Sequence, residues 1–237
     1  MARANVDVAK LQKEFEGKKA EDVLKWAFDT LKDRAGFANS FGAEDVVLTD
    51  MIAKVCPKLK IFTLDTGRLP YETYEVWDAL EEKYGIKIEP YFPYADAVES
   101  MVKQHGINCF YKSVELRKMC CKVRKIEPLK RALSSLDAWI TGLRRAQAVT
   151  RTAVHKIEVD EGNGGILKLN PLADWSEKEV WDYIKKNKVP YNKLHDRSYP
   201  SIGCAPCTRA VKAGEDIRAG RWWWESPETK ECGLHKR

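Results

Sequence analysis

Short apolar runs alternate with segments of helical periodicity over much of this chain, and this alternation limits the folds it can adopt. Residues 36–41, 60–65, 86–91 and 138–142 have the length and composition of buried strands. The segments between them are predicted to be helical: one helix has Val47, Leu48, Met51, Ile52 and Val55 on one face, and another spans about residues 71–84. Strands that alternate with helices pair in parallel through right-handed crossovers. The pattern therefore predicts an α/β fold with a doubly wound, mainly parallel sheet.

The two ends of the chain depart from this alternation. Residues 1–35 are predicted to be helical, because apolar side chains recur at helical spacing there. The last forty residues are rich in Gly, Pro, Cys and Arg, a composition typical of irregular functional loops. We therefore expect one domain overall, with a helical segment at 1–35, an α/β part at 36–200 and an irregular segment at 201–237.

Two local signals describe the region after residue 150. Apolar runs at residues 154–160 and 166–169 flank Glu161-Gly162-Asn163-Gly164-Gly165, which is typical of a β-hairpin. Ser176 and Glu179 have the spacing of a capping box. A helix is therefore predicted to begin at this box.

Polar or glycine-rich turns follow three of the predicted strands. These turns are Ser40-Phe41-Gly42, Asp65-Thr66-Gly67 and Thr141-Gly142. In doubly wound sheets, ligands bind beyond the carboxyl ends of the strands. We therefore expect the three turns to line one crevice.

Composition limits the partners of this chain. The 237 residues carry a net charge of +6, which suits an anionic ligand but is too small to indicate nucleic-acid binding. No signal peptide is recognisable at the N-terminus, and no apolar run approaches the ~18 residues of a membrane helix. The protein is therefore predicted to be cytoplasmic. In that reducing compartment, its seven cysteines more often bind metal or react than form disulfides.

Four of these cysteines are predicted to hold one metal centre. Cys204-Ala205-Pro206-Cys207 is a C-x-x-C turn, in which two thiolates can reach one metal. A redox pair is the alternative, but the strand and helix that flank such pairs are missing here. Adjacent cysteines such as Cys120-Cys121 point about 100° apart on a helix and fit poorly around one small ion. A larger iron–sulfur cluster accepts more divergent ligands and is favoured over zinc.

The residues around Cys120-Cys121 bear on the same prediction. Two unrelated core cysteines are the simpler interpretation of this pair. Against it, five cations surround the pair, and cations favour thiolates or a negatively charged cluster. Some of these cations could instead form a solvated helix face. The five are Arg117, Lys118, Lys122, Arg124 and Lys125.

Cys232 stands apart from the other cysteines, near the C-terminus. Neighbouring cations favour its thiolate, which is the attacking form, although a surface thiol on a frayed tail is the simpler interpretation. Cys56 and Cys109 have no partner at metal-ligand spacing and are interpreted as structural. Upstream, Gly220-Arg221 precedes the triplet Trp222-Trp223-Trp224. The arginine can bind phosphate or sulfate, and at least one tryptophan is expected to be exposed or to pack on a ligand.

Taken together, the segments from about residue 36 to 235 resemble the assimilatory sulfonucleotide reductases, and within them the adenylyl-sulfate (APS) reductase branch. Residues 40–45 are similar to the modified PP-loop of that family, and residues 64–69 with Glu72-Thr73 to its second nucleotide signature. The four cysteines resemble the ligands of its [4Fe-4S] cluster. The C-terminal residues 220–224 and 231–235 match as well.

The resemblance implies a fold of the PP-loop adenine nucleotide hydrolase type, with nucleotide bound by residues 36–200. It implies thiol-dependent reduction of adenosine 5'-phosphosulfate to sulfite and AMP in sulfate assimilation and cysteine biosynthesis. Cys232 would be the catalytic nucleophile on a mobile tail, forming a thiosulfonate that thioredoxin or a similar thiol donor releases, with His235 supporting it. No thioredoxin-like domain follows Cys232, so the donor is expected to be a separate molecule. The implied substrate-binding residues are Ser40, Phe41, Gly42, Glu44, Asp45, Asp65, Thr66, Gly67, Arg68, Lys125, Arg151, Arg218 and Arg221.

Some alternatives stay open at this point. A phosphoadenylyl-sulfate (PAPS) reductase or a dual enzyme is one, although the resemblance associates the PAPS branch with loss of the cluster cysteines. A PP-loop iron–sulfur enzyme that thiolates tRNA is another, and a zinc-stapled nucleic-acid-binding module is a third. Neither nucleic acid nor a membrane is the expected partner, and a homo-oligomer is left open. Ala146 stands where an acidic residue is expected after Arg144-Arg145, so the role of that loop position is left unassigned.

Overall fold

A six-stranded sheet forms the centre of the computed structural model, which describes residues 6–147, 153–230 and 233–234. The strand order is β3-β2-β1-β4-β6-β5, and all neighbours pair in parallel except β5 and β6. The strands are β1 (Ala35–Ala38), β2 (Lys60–Leu64), β3 (Glu89–Tyr91), β4 (Ala138–Ile140), β5 (Ile157–Asp160) and β6 (Ile166–Leu169). The predicted doubly wound α/β class is confirmed.

Eight α-helices are found among the described residues. They are α1 (Val8–Phe15), α2 (Ala20–Leu31), α3 (Ala43–Val55), α4 (Tyr71–Tyr84), α5 (Ala95–His105), α6 (Val114–Cys121), α7 (Glu127–Leu133) and α8 (Glu177–Asn187). A π-helical turn, Lys122–Ile126, joins α6 to α7. None of the described helices combines the length and the apolar character needed to cross a membrane.

The predicted hairpin and capping box are both present. β5 and β6 pair antiparallel, and Gly164 and Gly165 adopt positive φ angles of 79° and 72° in the turn between them. Such angles suit glycine because it has no Cβ. Ser176 accepts a hydrogen bond from the Glu179 amide, and the Glu179 carboxylate accepts one from the Ser176 amide. Both orphan donors at the start of α8 are thus satisfied.

The predicted helical segment at the N-terminus becomes α1, α2 and a short 3-10 turn at 32–34. Its apolar face joins the main core, where Val23, Leu24 and Ala27 are completely buried together with residues of β1 and α3. On the opposite side of α3, the buried carboxylate of Asp50 accepts hydrogen bonds from Tyr84, Tyr183 and Lys54. These bonds fasten α4 and α8 to α3.

Candidate functional site

A cleft of about 870 Å³ opens at the carboxyl ends of β1 and β4. The sheet order reverses at this point, because β1 leads to β2 on one side while β4 lies on the other. Such a switch point is where doubly wound sheets bind ligands. Two of the three predicted turns line this cleft, Ser40-Phe41-Gly42 and Thr141-Gly142.

The first of these turns is held in an unusual backbone conformation. Phe41 has a φ of 62°, which is rare for a residue with a side chain. Its amide donates to Asn39 Oδ1 at 2.8 Å, and its buried ring stacks on Trp77 at 5.4 Å. These contacts fix the turn in front of α3. Gly42, the N-cap of α3, makes no side-chain hydrogen bond to the first amides of this helix, and such uncapped amides suit an anion.

Asp45 lies in the first turn of α3 and closes the same loop. Its carboxylate accepts from the Ser40 hydroxyl at 2.6 Å and from the Ser40 amide at 2.7 Å. Burial raises the pKa of this carboxyl to about 7, and the two hydrogen bonds from Ser40 oppose that effect only in part. Near neutral pH, Asp45 is therefore poised between its protonated and charged forms.

This shift predicts a pH-dependent stability. An unfolded aspartate titrates near pH ~3.9, so between about pH 4 and 7 the folded chain keeps a proton that the unfolded chain releases. Stability is therefore lost as pH rises through this window. Asp45→Asn mimics the protonated form. As the pH rises from 5 to 8, its free energy of unfolding is expected to increase by about 2–3 kcal/mol relative to that of the wild type. Thermal unfolding at both pH values measures this gain, and a difference that does not change with pH would contradict the assignment.

Gly142 meets the same carboxylate from the opposite side of the cleft. A methyl group placed on Gly142 would overlap the Asp45 carboxylate and the Glu44 Cβ. Gly142→Ala is therefore expected to destabilise the protein by about 1–3 kcal/mol through overpacking. Gly42→Ala is the matched control, because its added methyl group would lie 3.8 Å from the nearest atom. Thermal unfolding of the two variants should separate them, and an equal Tm would show that the contact is not tight.

Glu44, predicted to bind substrate, is engaged by an arginine of the chain itself. Its Oε1 accepts from Arg144 Nε at 2.8 Å and lies 2.7 Å from Arg144 Nη2. Gln147 supports this arrangement by accepting from the Arg144 amide and donating to the Gly142 carbonyl. Ala146 is exposed and is not among the described lining residues. The residue type at position 146 therefore does not shape the described cleft.

Three predicted substrate-binding cations line the cleft: Lys125, Arg218 and Arg221. Arg221 is buried against Trp222, with its guanidinium 4.7 Å from the ring centre. It passes so close to Gly203 that a methyl group there would overlap the guanidinium. The glycine before Cys204 thus makes room for this cation at the border of the cleft.

The third predicted turn lies elsewhere, which corrects the expectation of one shared crevice. The described residues that line the cleft do not include Asp65, Thr66, Gly67 or Arg68. Thr66 Oγ1 is instead 3.3 Å from Cys204 Sγ, and the Arg68 carbonyl accepts from the Ala205 amide at 2.8 Å. The Asp65 carboxylate accepts from the Gly67 amide and from Tyr74. The turn therefore supports the cysteines.

Cys120, Cys121, Cys204 and Cys207 line a second cavity next to the cleft. The first two end α6, and the other two form a 3-10 turn in which the Cys207 amide donates to the Cys204 carbonyl at 2.9 Å. Tyr111 holds this turn through the Pro206 carbonyl at 2.7 Å. The pairs are 83 positions apart in sequence, from 121 to 204, and the fold brings them together.

Burial dominates the protonation of two of these thiols, those of Cys120 and Cys207. It raises the pKa of Cys120 to about 11 and that of Cys207 to about 12, and the neighbouring cysteines raise both further. The expected effect of the cations is present but smaller, since Arg124 lowers the pKa of Cys120, and Lys125 and Arg221 lower that of Cys207. Without a bound group, the thiols of Cys120 and Cys207 are therefore protonated near neutral pH.

The four cysteines form a candidate site for a sulfur-liganded group. Across residues 6–147, 153–230 and 233–234, no three His, Cys, Asp or Glu side chains are arranged to hold a single metal ion. All four thiols nevertheless line one space. Two lining residues, Arg124 and Trp222, each have a buried nitrogen without a hydrogen-bond partner among the described residues, Nε and Nε1 respectively. Such donors suit the sulfur atoms of a cluster.

The tryptophan triplet is split between this cavity and the surface, as expected. Trp222 is 2% exposed and lines the cavity, whereas Trp223 is 38% exposed. Trp224 packs between them on Tyr111, with ring centres 4.5 Å apart. Only Trp222 is thus positioned to contact a bound group.

Three predicted site residues lie outside the described part of the chain: Arg151, Cys232 and His235. Their roles stay predictions. Conversely, the cleft contains residues that were not assigned a role there from the sequence, namely Arg144, Gln147 and His195. Burial lowers the pKa of His195, and its ring packs edge-on against Trp181 at 5.1 Å. No spacing signal marks His195, because it reaches the cleft through the irregular segment after α8.

Comparisons with known proteins identify the family of this chain. Residues 35–210 match the phosphoadenosine phosphosulfate reductase domain family. An adenosine 5'-phosphosulfate reductase of Allochromatium vinosum is 58% identical over 205 residues, which cover 86% of this chain and 80% of that protein. One from Neisseria meningitidis serogroup B is 50% identical over 231 residues, covering 93% and 94%.

Solved structures agree at the level of the fold. The phosphate complex of PAPS reductase from Candida auris has a TM-score of 0.75 and 30% identity, covering 89% of this chain and 99% of that one. The FMN adenylyltransferase of Candida glabrata has a TM-score of 0.54 at 14% identity, covering 98% and 78%, and therefore shows the fold alone. The predicted PP-loop-like fold is confirmed. The family match and the close relatives show that this chain belongs to the phosphoadenosine phosphosulfate reductase family.

Proposed function

We propose that this protein is an adenylyl-sulfate reductase, which reduces adenosine 5'-phosphosulfate to sulfite and AMP with electrons from thioredoxin or a similar dithiol. One observation carries the proposal: Lys125, Arg221 and Trp222 line both the cleft and the cysteine cavity. A cationic nucleotide cleft thus shares a wall with a four-cysteine site. The relatives that are 50–58% identical to this chain are adenosine 5'-phosphosulfate reductases.

The nucleotide would lie across the carboxyl ends of β1 and β4. The α3 amides and the 40–42 turn would face its anionic end, and Lys125, Arg218 and Arg221 would offset its charge. Arg151 is proposed to join them. Asp65, Thr66, Gly67 and Arg68 would act on the substrate only indirectly, through the cysteines beside them.

The proposed reaction begins with the Cys232 thiolate. Its sulfur attacks the sulfate sulfur of the substrate, a new S–S bond forms, and the bond from sulfate sulfur to the phosphate-bound oxygen breaks. AMP leaves with that oxygen, and a thiosulfonate stays on Cys232. One thiol of the donor then attacks the cysteine sulfur and releases sulfite. Its second thiol frees Cys232, so the donor supplies two electrons and ends as a disulfide.

Cations are needed because a thiolate and a sulfate group repel each other. Side chains at the shared wall would offset this repulsion and stabilise the charge that develops on the departing phosphate. His235 is proposed to support the thiolate of Cys232. Two neighbours of position 232 support its assignment: the Lys230 carbonyl accepts from Arg218 at 3.2 Å, and Leu234 lines the cleft.

Cys120, Cys121, Cys204 and Cys207 would hold a [4Fe-4S] cluster. When bound, the cluster would supply an electrostatic field next to the substrate and no electrons. Arg124 and Trp222 fit its surroundings, because each lines the cavity and has a buried nitrogen without a hydrogen-bond partner among the described residues. The helical segment at 1–35 would then support the fold, and residues 36–200 would bind the nucleotide. Residues 201–237 would provide the cysteine loop and the catalytic tail. We propose a cytoplasmic location for the enzyme.

Mass spectrometry after mixing the iron-loaded protein with APS in the absence of thiol tests the proposal. A sulfite-sized adduct of ~80 Da on the peptide that contains Cys232 is expected, because the first step needs no donor. PAPS is offered in parallel, and an equal adduct from both nucleotides would favour a dual reductase. An unmodified Cys232 with both nucleotides would refute the assignment.

A further inference from the structure

Arg117 connects the cysteine cavity to the C-terminal segment. It lies on α6 and is 0% exposed. Its guanidinium forms two parallel hydrogen bonds with Glu225, from Nε to Oε1 at 2.8 Å and from Nη2 to Oε2 at 2.7 Å. Nη2 also donates to the Thr229 carbonyl at 2.5 Å. These three residues are called here the Arg117 clasp.

The other side of the guanidinium faces the cysteines. Arg117 lines the cysteine cavity, and its side chain is hydrogen-bonded to Cys121. The same guanidinium lies 4.8 Å from the ring centre of Trp222, which lines that cavity too. One buried cation thus touches a proposed cluster ligand, a cavity wall and the C-terminal segment.

The contacts of the Arg117 clasp form only when residues 225–229 have one position and orientation against α6. Glu225 is almost as buried as Arg117, with its side chain 2% exposed, so the ion pair is shielded from water and salt. A parallel two-bond pair fixes orientation as well as distance. The Thr229 hydroxyl adds a further bond to Glu225 Oε2 at 2.9 Å. Residues 225–229 are therefore held as a unit against α6.

The clasp lies very close in sequence to Cys232. Thr229 is three residues before it, and three residues of extended chain span at most about 11 Å. An anchor at Thr229 therefore limits the volume that the sulfur must search. Misplacement of a reacting group by about 1 Å can slow a reaction about a hundredfold. An anchor so near to a nucleophile is thus a means of positioning it.

We propose that Arg117 is a positioning residue that anchors the catalytic tail through Glu225 and Thr229, and that its contact with Cys121 links this anchoring to the group held by the cysteines. The proposal rests on the role given to Cys232 and to the four cysteines under the proposed function. By thermodynamic linkage, if a group bound by the cysteines favours formation of the Arg117 clasp, formation of the clasp must in turn increase the affinity for that group. The clasp would therefore stabilise the cluster as well as the tail.

Glu225→Gln in the iron-loaded protein is the test. Glutamine keeps the size of the side chain but removes the charge and one of the two parallel bonds. Trypsin can cut after Lys230 and release residues 231–237. Such cleavage follows the fraction of molecules in which residues 225–229 have separated from α6. Cleavage at Lys230, measured by intact mass, is expected to be about tenfold faster than in the wild type. Iron release to a ferrous chelator is expected to be about fivefold faster.

Two matched variants control for general effects. Glu228→Gln makes the same change at an exposed side chain of the same segment and should leave both rates unchanged. Asp50→Asn removes a charge from an equally buried carboxylate whose partners are on α3, α4 and α8. It should lower the Tm and leave both rates within twofold of the wild type. Thr229→Val, which removes the hydroxyl bonds to Glu225 and to the Ser226 carbonyl, should raise cleavage about threefold and replaces Glu225→Gln if that variant does not fold.

Each outcome decides one part of the proposal. Unchanged cleavage at Lys230 in Glu225→Gln would overturn the anchoring role. Faster cleavage with unchanged iron release would overturn the link to the cysteines. In the APS assay, Glu225→Gln is expected to lower kcat about tenfold and to leave the KM unchanged, because the nucleotide cleft is not altered. If the wild type makes no sulfite, the proposed function fails, while the cleavage and iron-release results still decide on the clasp.

Discussion

Cys232→Ser is expected to abolish sulfite formation from APS, with a loss of at least about a thousandfold in kcat/KM. A serine hydroxyl does not ionise near neutral pH and cannot form the thiosulfonate from which sulfite is released. The nucleotide cleft and the cysteine cavity are built by other residues. Iron content and AMP binding should therefore stay at the wild-type level. Sulfite release, iron analysis and AMP titration on one preparation measure all three.

Cys56→Ser is the control for a general effect of replacing cysteine. Cys56 ends α3, is 1% exposed in the main core, and burial raises the pKa of its thiol to about 11. It is not a candidate nucleophile, and its variant should keep nearly full turnover after a modest loss of stability. If Cys232→Ser retained more than a tenth of the wild-type rate, another group would have to attack the substrate.

The fold could be predicted from the sequence wherever local chemistry decides it. The presence of the strands, of the glycine-rich hairpin and of the box formed by Ser176 and Glu179 is set within a few residues of chain, and all appear in the structure, although β1 and β3 are shorter than predicted. The short helices α5, α6 and α7 carry a weaker signal. They cover the far edge of the sheet and the cysteine cavity, where tertiary packing outweighs periodicity.

The site was less predictable because it depends on long-range contacts. Glu44 and Arg144 are 100 positions apart, and neither segment contains a sequence signal that predicts their ion pair. The Asp65-Thr66-Gly67 turn has the composition of a ligand loop, yet its direction is set by the packing of Arg124 and Cys204 against Thr66. The sequence could indicate which residue types form a site, and the tertiary fold decides which cavity each of them faces.

Arg117 is a further residue whose environment could not be predicted from the sequence. Among five neighbouring cations it could not be distinguished from a solvated helix face by sequence. The structure buries it completely, whereas Lys122 stays exposed. The partner that permits this burial is Glu225, which is 108 positions away. Burial of a charge requires such a partner, and only the fold reveals which one is present.

Cys207→Ser is expected to remove more than about nine-tenths of the bound iron and acid-labile sulfide, and with them the activity. Its thiol is buried, lines the cysteine cavity and lies on a turn fastened by Tyr111 and Arg68, so no other residue can replace it there. A serine hydroxyl is a poor ligand for iron in a cluster, which takes thiolates. Iron and sulfide analysis after anaerobic purification measures the loss. Zinc without sulfide in the wild type would contradict the cluster itself.

Cys109→Ser provides the decisive comparison for this prediction. Cys109 belongs to the same apolar cluster as Cys120, Cys121 and Cys207, and it is the most buried of them at 0% exposure. It is not among the described residues that line the cysteine cavity. Its serine variant carries the same chemical change and the same cost of burying a hydroxyl, yet it should keep its iron. Equal loss of iron in both variants would mean that packing of the apolar cluster, and not ligation by Cys207, retains the metal.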